Sequence, residues 1–242
     1  MGVVNVVVPM AGAGSRLEGY SELPKPMILV KGHTILEHSL NSLDLNREHK
    51  FTFVVRDTHE EEFGVSEYID KIMPYLGSHE IVITGETEGQ ACSVAKAIEG
   101  KKDHPFVVLN ADNYIDMDTI WFYEEIAKCN TGVVTVFPEP ARTGKWSYAE
   151  LGVGDTVLRL KEKDPFTDTA VAGLFYFASS KKFLETLEFM QHPNYGHGEE
   201  YFISPLIQVM AWRYKVYFKY FYIDKMWSLG TSEEIQEFID NV

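Results

Sequence analysis

Val8-Pro9-Met10-Ala11-Gly12-Ala13-Gly14-Ser15-Arg16-Leu17 carries an apolar run into a loop of small residues. That run, residues 3–8, is short, rich in valine and bounded by breakers, which predicts a buried strand. Ligands of open α/β sheets bind beyond the carboxyl ends of strands, so the loop lies where a site is expected. Gly12 and Gly14 reach backbone dihedrals closed to other residues and let N–H groups approach an anion. Arg16 adds a guanidinium fork that matches phosphate oxygens. A second cation follows in Leu23-Pro24-Lys25-Pro26-Met27, where two prolines stiffen the backbone around Lys25.

Other loop chemistries fit less well. A Walker loop would end in Gly-Lys-Ser/Thr, and none follows. A dinucleotide-binding Gly-x-Gly-x-x-Gly would need glycine where Leu17 stands. A plain glycine turn beside a surface arginine accounts for Gly12 and Gly14, but not for Arg16 together with the Pro-Lys-Pro unit.

Beyond the loop, apolar β-branched runs at residues 51–55, 80–84 and 106–109 predict further buried strands. Helical patterns separate them. Thr34-Ile35-Leu36-Glu37 is a capping-box pattern followed by Leu36, Leu40 and Leu43 on one face. Residues 90–98 are small and apolar, with Gly100 as a stop. This alternation predicts a three-layer, Rossmann-like α/β fold with a mixed, mainly parallel sheet and right-handed crossovers. The second half is less regular. Strands are expected at 132–137, 171–177 and 216–223, and a hairpin at 148–153 and 156–160 around Gly154-Asp155. Helices are expected at 181–190 and 200–212, and Thr231-Ser232-Glu233-Glu234 opens a last one with a second capping-box pattern. The mixed strands suggest a small antiparallel extension covering a substrate. We read one domain over 1–242, in two halves of about 1–115 and about 116–242.

The 242 residues carry a net charge of −14, which repels a nucleic-acid backbone and disfavours general nucleic-acid binding. Two cysteines, Cys92 and Cys129, build neither a disulfide framework nor a cysteine-rich zinc site. No stretch has the length and apolarity of a membrane span, and the first residues lack a signal-peptide pattern, so a cytoplasmic protein is expected. The eight histidines show no His-Glu-x-x-His spacing, and there is no Gly-x-Ser-x-Gly elbow.

Chemistry-bearing residues recur at strand ends. Asp112 follows the run at 106–109 and so shares a sheet edge with the glycine loop. Mg²⁺ takes one or two carboxylates plus substrate phosphates, and Asp112 suits that need, although it would also serve as a turn cap. Thr87-Glu88-Gly89-Gln90 enters a helix N-terminus with free N–H groups, and Gln90 can both donate and accept. Gly173, within an apolar strand, allows a ligand to approach closely.

Gly12 to Leu17 followed by Pro24-Lys25-Pro26 resembles the signature of the sugar-phosphate nucleotidyltransferase family, and the likeness runs through almost the whole chain. That family includes sugar-1-phosphate thymidylyl-, uridylyl-, guanylyl- and cytidylyltransferases, and the phosphocholine cytidylyltransferases of bacterial surface decoration. The resemblance implies transfer of a nucleoside monophosphate from an NTP to a small phosphorylated acceptor, with release of pyrophosphate. CTP, UTP or dTTP is the expected nucleotide. By the same resemblance, Ala11, Gly12, Ala13, Gly14 and Ser15 wrap the triphosphate, Arg16 stabilises charge on it, and Lys25 neutralises the two reacting phosphates. Gly89 and Gln90 read the base, and Asp112 holds Mg²⁺. Trp146, Tyr148, Glu162, Lys163 and Gly173 contact the acceptor, with Glu199-Glu200-Tyr201-Phe202 flanking the pocket. Homo-oligomers are common among such proteins.

One motif departs from the family pattern. Relatives end in Trp-x-Asp-x-Gly-Thr, whereas this chain reads Asp224-Lys225-Met226-Trp227-Ser228-Leu229-Gly230-Thr231, with Ser228 in place of the aspartate. Asp224 is the expected replacement as second metal carboxylate, although four extended residues, roughly 13 Å, separate the two positions. A glycosyltransferase using nucleotide sugars is the rival enzyme reading, with Asp116 and Asp118 as its Asp-x-Asp. A catalytically silent nucleotide sensor is the rival outside enzymes.

Overall fold

The computed structural model describes residues 2–12, 17, 19–73, 77–193 and 200–242. The chain opens with strand β1 (Val4–Met10), a 3₁₀ turn (Lys25–Met27), the short pair β2 (Leu29–Val30) and β3 (His33–Thr34), and helix α1 (Ile35–Leu40). Next come β4 (His49–Arg56), α2 (Asp57–Phe63), α3 (Val65–Ile72), β5 (Ser78–Thr84), α4 (Gln90–Ile98) and β6 (Phe106–Leu109). The later elements are β7 (Asn113–Asp116), α5 (Thr119–Lys128), β8 (Gly132–Pro138), β9 (Ser147–Gly152), β10 (Thr156–Glu162) and β11 (Thr169–Phe177). Helices α6 (Ser180–Gln191) and α7 (Ile203–Tyr214), strands β12 (Lys219–Tyr222) and β13 (Lys225–Ser228), and helix α8 (Ser232–Asn241) complete the chain.

Nine strands form one sheet in the order β5-β4-β1-β6-β11-β8-β12-β10-β9. From β5 to β6 all neighbours are parallel. Strand β11 runs antiparallel to both its neighbours, β6 and β8, and β8 pairs parallel with β12. The hairpin of β9 and β10 closes the far edge. The parallel half therefore places the ends of β1 and β6 on one edge of the sheet, as right-handed α/β winding requires.

Strand periodicity divides the core. In β1, Val6, Val8 and Met10 face one side, where α1, α3 and α5 contribute Leu36, Leu40, Ile69, Phe122 and Ile126. Val7 faces the other side, packed with Val94 and Ile98 of α4, Phe183 of α6 and Leu206 of α7. Alternation of period two against helices of period 3.6 gives the three layers. A third cluster lies beneath the sheet edge: Ile235 and Phe238 of α8 pack on Leu17, Ile28, Val30, Ile35 and Leu229.

Several elements lie outside the sequence expectations. Helix α2 buries no residue and displays no apolar stripe, whereas α3 carries a short one, with Val65 and Ile69 buried and Tyr68 and Ile72 packed beside them at i, i+3, i+4, i+7 spacing. In α5 the aromatic run hides the helix, while Asp118 caps it by accepting from the Trp121 N–H at 2.9 Å. That cap gives one member of the Asp-x-Asp pattern a structural task. Strands β7 and β13 form a separate two-stranded ribbon. The strand expected at 216–223 is confined to Lys219–Tyr222, and the helix expected from 200 starts at Ile203.

Gly132 starts β8 where a Cβ would lie 2.1 Å from the Phe218 ring and 2.7 Å from the Tyr176 carbonyl oxygen. Phe218 is fully buried, so its ring has nowhere to retreat. Gly132→Ala is expected to cost about 1–3 kcal/mol, the usual penalty of overpacking, measured as a lowered midpoint in urea denaturation.

Candidate active site

A cleft of about 930 Å³ opens along the carboxyl edge of β1 and β6. That volume is at the upper end for small-molecule sites and has room for two substrates. Ala11, Gly12, Lys25, Gly89, Gln90 and Asp112 line it, together with Trp146, Glu162, Lys163 and Gly173. The chain thus brings residues more than a hundred positions apart to one surface. Ala13, Gly14, Ser15 and Arg16 lie outside the described residues.

The floor of the cleft is set by backbone contacts. Gly173 has φ +88°, and a Cβ there would stand 2.5 Å from Asn110 Nδ2 and 2.7 Å from Asn113 Nδ2. The register of β11 against β8 shifts between Val171 and Phe175, which turns Gly173 toward the end of β6. There the Asn110 N–H donates to the Gly173 carbonyl at 2.9 Å. Asn113 donates its side-chain amide to the Ala172 carbonyl at 2.9 Å. From the other side the Leu229 N–H donates to the Asp112 carbonyl at 2.8 Å. Asp112 is therefore fixed in backbone on two flanks, and its carboxylate meets Lys25 Nζ at 2.5 Å. The Lys25 side chain is 14% exposed and that of Asp112 26%, so salt screens this pair less than one on the open surface.

The loop before α4 is held as tightly. Gly89 has φ +113°, and the Tyr201 backbone lies 2.6 Å from where a Cβ would be. The Tyr201 N–H donates to the Glu88 carbonyl at 2.7 Å, and the Ala91 N–H donates to the Tyr201 carbonyl at 2.9 Å. Gln90 donates Nε2 to Asn110 Oδ1 at 2.6 Å. Across the cleft, the Lys163 N–H donates to the Trp146 carbonyl at 2.9 Å, and Lys163 Nζ sits 4.9 Å from the centre of the Phe202 ring. Glu162 accepts a hydrogen bond from the Ser147 hydroxyl. Burial raises the Glu162 pKa above the ordinary carboxylate value, and Glu200 adds to that, while Ser147 and Lys163 oppose it.

Comparison with known proteins fits this arrangement. The family model described as nucleotidyl transferase matches residues 6–241. The chain belongs to the nucleotidyl transferase family. No curated protein matches it. Among solved structures it is similar to a nucleoside-diphosphate-sugar pyrophosphorylase from Vibrio cholerae RC9, at 25% identity and TM-score 0.83, covering 98% of this chain and 100% of that one. It shares its fold with a UDP-glucose pyrophosphorylase complexed with UDP-glucose, at 15% identity and TM-score 0.78, covering 99% and 98% of the two chains. It also shares its fold with the inositol-1-phosphate CTP transferase from T. maritima, at 13% identity and TM-score 0.76, covering 99% and 97%.

Two expected site residues of this nucleotidyltransferase are placed elsewhere. Tyr148 is fully buried, donates its hydroxyl to Glu139 at 2.8 Å and accepts from the Gly144 N–H at 2.9 Å. It braces the turn before β9 and does not line the cleft. Asp224 is corrected for a related reason. Strand β13 is extended and pairs Ser228 with Asn113 and Lys225 with Asp116, so Asp224 lies at the far end of the ribbon. Its N–H donates to the Asp116 carbonyl, roughly 13 Å of strand away from Ser228, and the backbone makes no turn that would carry it to Asp112.

The cleft also contains residues the sequence did not single out. Asn110 fixes Gln90, and its position one residue past β6 was the available signal. Glu234 of the nucleotidyltransferase was legible only as a capping-box acid. In the structure its Oε2 accepts from Ser228 Oγ at 2.7 Å and from the Gly230 N–H at 3.2 Å, while Lys145 Nζ stands 3.4 Å from its Oε1. Among the described residues no group of three or more His, Cys, Asp and Glu side chains is placed to hold a metal ion. No described helix is long and apolar enough to cross a membrane.

The raised pKa of Glu162 makes a pH-dependent prediction. Its charged form is disfavoured by folding, so the cost is fully present above the folded pKa. That cost disappears as pH falls through the folded pKa toward the unfolded value. Glu162→Gln keeps an acceptor for Ser147 and removes the charge. Urea denaturation should show the variant more stable than the parent at about pH 8, with the difference vanishing near pH 4.

Proposed function

We propose that this nucleotidyltransferase moves a nucleoside monophosphate from an NTP, with a pyrimidine base favoured, to a sugar 1-phosphate or another small phosphorylated acceptor. The product serves synthesis of cell-surface polysaccharide precursors in the cytoplasm. The observation that carries the reading is the Lys25–Asp112 pair, which shares one cleft with the Trp146, Glu162, Lys163 and Gly173 wall. In the step itself an acceptor phosphate oxygen bonds to the α-phosphorus, the bond to the β-phosphate oxygen breaks, and pyrophosphate leaves. No protein nucleophile is needed, so the chain contributes positioning and countercharge.

Lys25 is the cation for the reacting phosphates, and Arg16 is assigned to the triphosphate on sequence grounds. Glu162 is the acceptor for sugar hydroxyls, and Lys163 the partner of the acceptor phosphate. Gly173 leaves space for the sugar. Gln90 and Gly89 face the base, and the pyrimidine preference rests on the family resemblance. The donor set suits Mg²⁺: hard oxygen ligands, with Asp112 as carboxylate and substrate phosphates completing the shell. When bound, the ion would supply Lewis-acid charge neutralisation at the phosphates.

Lys25→Ala and Arg16→Ala are each expected to lower turnover by at least about 100-fold, while circular dichroism stays that of the parent. Pyrophosphate release is measured across a panel of triphosphates and phosphorylated acceptors with Mg²⁺. Near-normal release by both variants would defeat the assignment. Nucleotide binding without turnover would mark a sensor, and consumption of a nucleotide sugar would mark a glycosyltransferase.

A further inference from the structure

Among the described residues, three lysines line the cleft: Lys25, Lys145 and Lys163. The reaction as derived uses the first and the third. Lys145 sits in the turn between β8 and β9, and the backbone around it is pinned. Buried Glu139 accepts from the Thr143 N–H at 3.1 Å and from the Tyr148 hydroxyl, which in turn holds the Gly144 N–H. Just beyond Lys145, the Trp146 carbonyl is held by the Lys163 N–H. The base of Lys145 is thus fixed, while its flexible four-carbon stem leaves the ammonium free to choose a partner.

The partner it has is Glu234. The contact is 3.4 Å, longer than a well-formed charge-assisted bond, and the Lys145 side chain is 57% exposed. The Glu234 carboxylate is 11% exposed and already satisfied at Oε2 by Ser228 and Gly230. If Lys145 left, the two donors on Oε2 would stay in place. Glu234 Oε2 and Lys25 Nζ lie 3.1 and 3.6 Å from one point, the place where a Gly230 Cβ would stand. The Lys145 ammonium therefore borders the same stretch of cleft as Lys25 and joins it to the Trp146–Lys163 wall.

We infer that Lys145 is a phosphate ligand of the acceptor side, exchanging the Glu234 carboxylate for the acceptor's phosphate. This rests on the proposed reading of that wall as the acceptor site. A phosphate dianion is the stronger partner for an exposed ammonium, because the carboxylate shares its charge with two other donors. Glu234 is then a competing counter-ion that holds Lys145 over the cleft.

The test is calorimetric titration of the full chain with inorganic phosphate, using Lys145→Gln, Lys145→Arg and Glu234→Gln. Lys145→Gln should weaken phosphate by about fivefold or more, and Lys145→Arg should recover most of the loss. Glu234→Gln should tighten phosphate, and most of that gain should vanish in the Lys145→Gln background. In turnover, Lys145→Gln should raise KM for the acceptor and leave KM for the nucleotide unchanged. Phosphate affinity within about twofold of the parent in Lys145→Gln overturns the inference, as does a parent that binds no phosphate. If phosphate binding depends on Lys145 while no acceptor supports pyrophosphate release, the contact stands and the proposed reaction falls.

Discussion

The end of β6 is approached by backbone from two directions, and the cleft depends on that closeness. Gly173 of β11 presents its bare Cα where the amides of Asn110 and Asn113 stand, and Leu229 ties the far ribbon to the Asp112 carbonyl. Any side chain at 173 would meet those amides at 2.5–2.7 Å in a left-handed backbone conformation. The contact joins the parallel half of the sheet to the reversed strand. It also fixes Asp112 within reach of Lys25, so a steric requirement at one glycine becomes the position of a carboxylate.

The electrostatics of the cleft follow from its setting. A chain of net charge −14 that gathers phosphates needs cations held at chosen points, because the molecule's overall field opposes anion binding. Each described cleft lysine has a counter-group: Asp112 for Lys25, Glu234 for Lys145 and the Phe202 ring for Lys163. These differ in shielding. Lys25 is 14% exposed at 2.5 Å from its partner, so its position is set by the fold, whereas Lys145 is 57% exposed and loosely held. The gradation separates a cation that is fixed from one that responds to a ligand.

How much of this was legible depended on whether a signal was local. Strand β6 and helix α4 were readable to their ends, because a buried β-branched run and a run of small apolar residues have few other solutions. Helix α2 was not, since a helix that buries nothing leaves no periodic trace. At the site, Lys25 and Asp112 were visible as residues flanking strand ends, and Gly173 as a glycine inside a strand. Tyr148 was visible as an aromatic near the acceptor wall, but its burial follows from Glu139, a partner nine residues away that has no sequence signature. Asp224 was drawn to the site by its place at a strand end. The pairing of β13 with β7 decides otherwise, and pairing between remote strands is not written in either strand alone.

The two capping-box patterns show where local reading stops. Thr34 and Glu37 complete the reciprocal pair: the threonine accepts from the Glu37 N–H, and the glutamate accepts from the Thr34 N–H at 2.7 Å. Thr231 and Glu234 have the same residue types at the same spacing, and Thr231 accepts from the Glu234 N–H at 3.3 Å. Yet the Glu234 carboxylate turns past the cap to Gly230 and Ser228. The helix tolerates this because a carboxylate in its first turn still faces the positive end of the helix dipole. What differs is the neighbourhood: β13 brings a serine hydroxyl, the Gly230 N–H stands one residue upstream of the cap, and the turn before β9 brings Lys145. A carboxylate satisfies the strongest donors within reach, and here tertiary structure supplies them. The same four-residue motif is a helix start in one place and part of a cleft wall in the other.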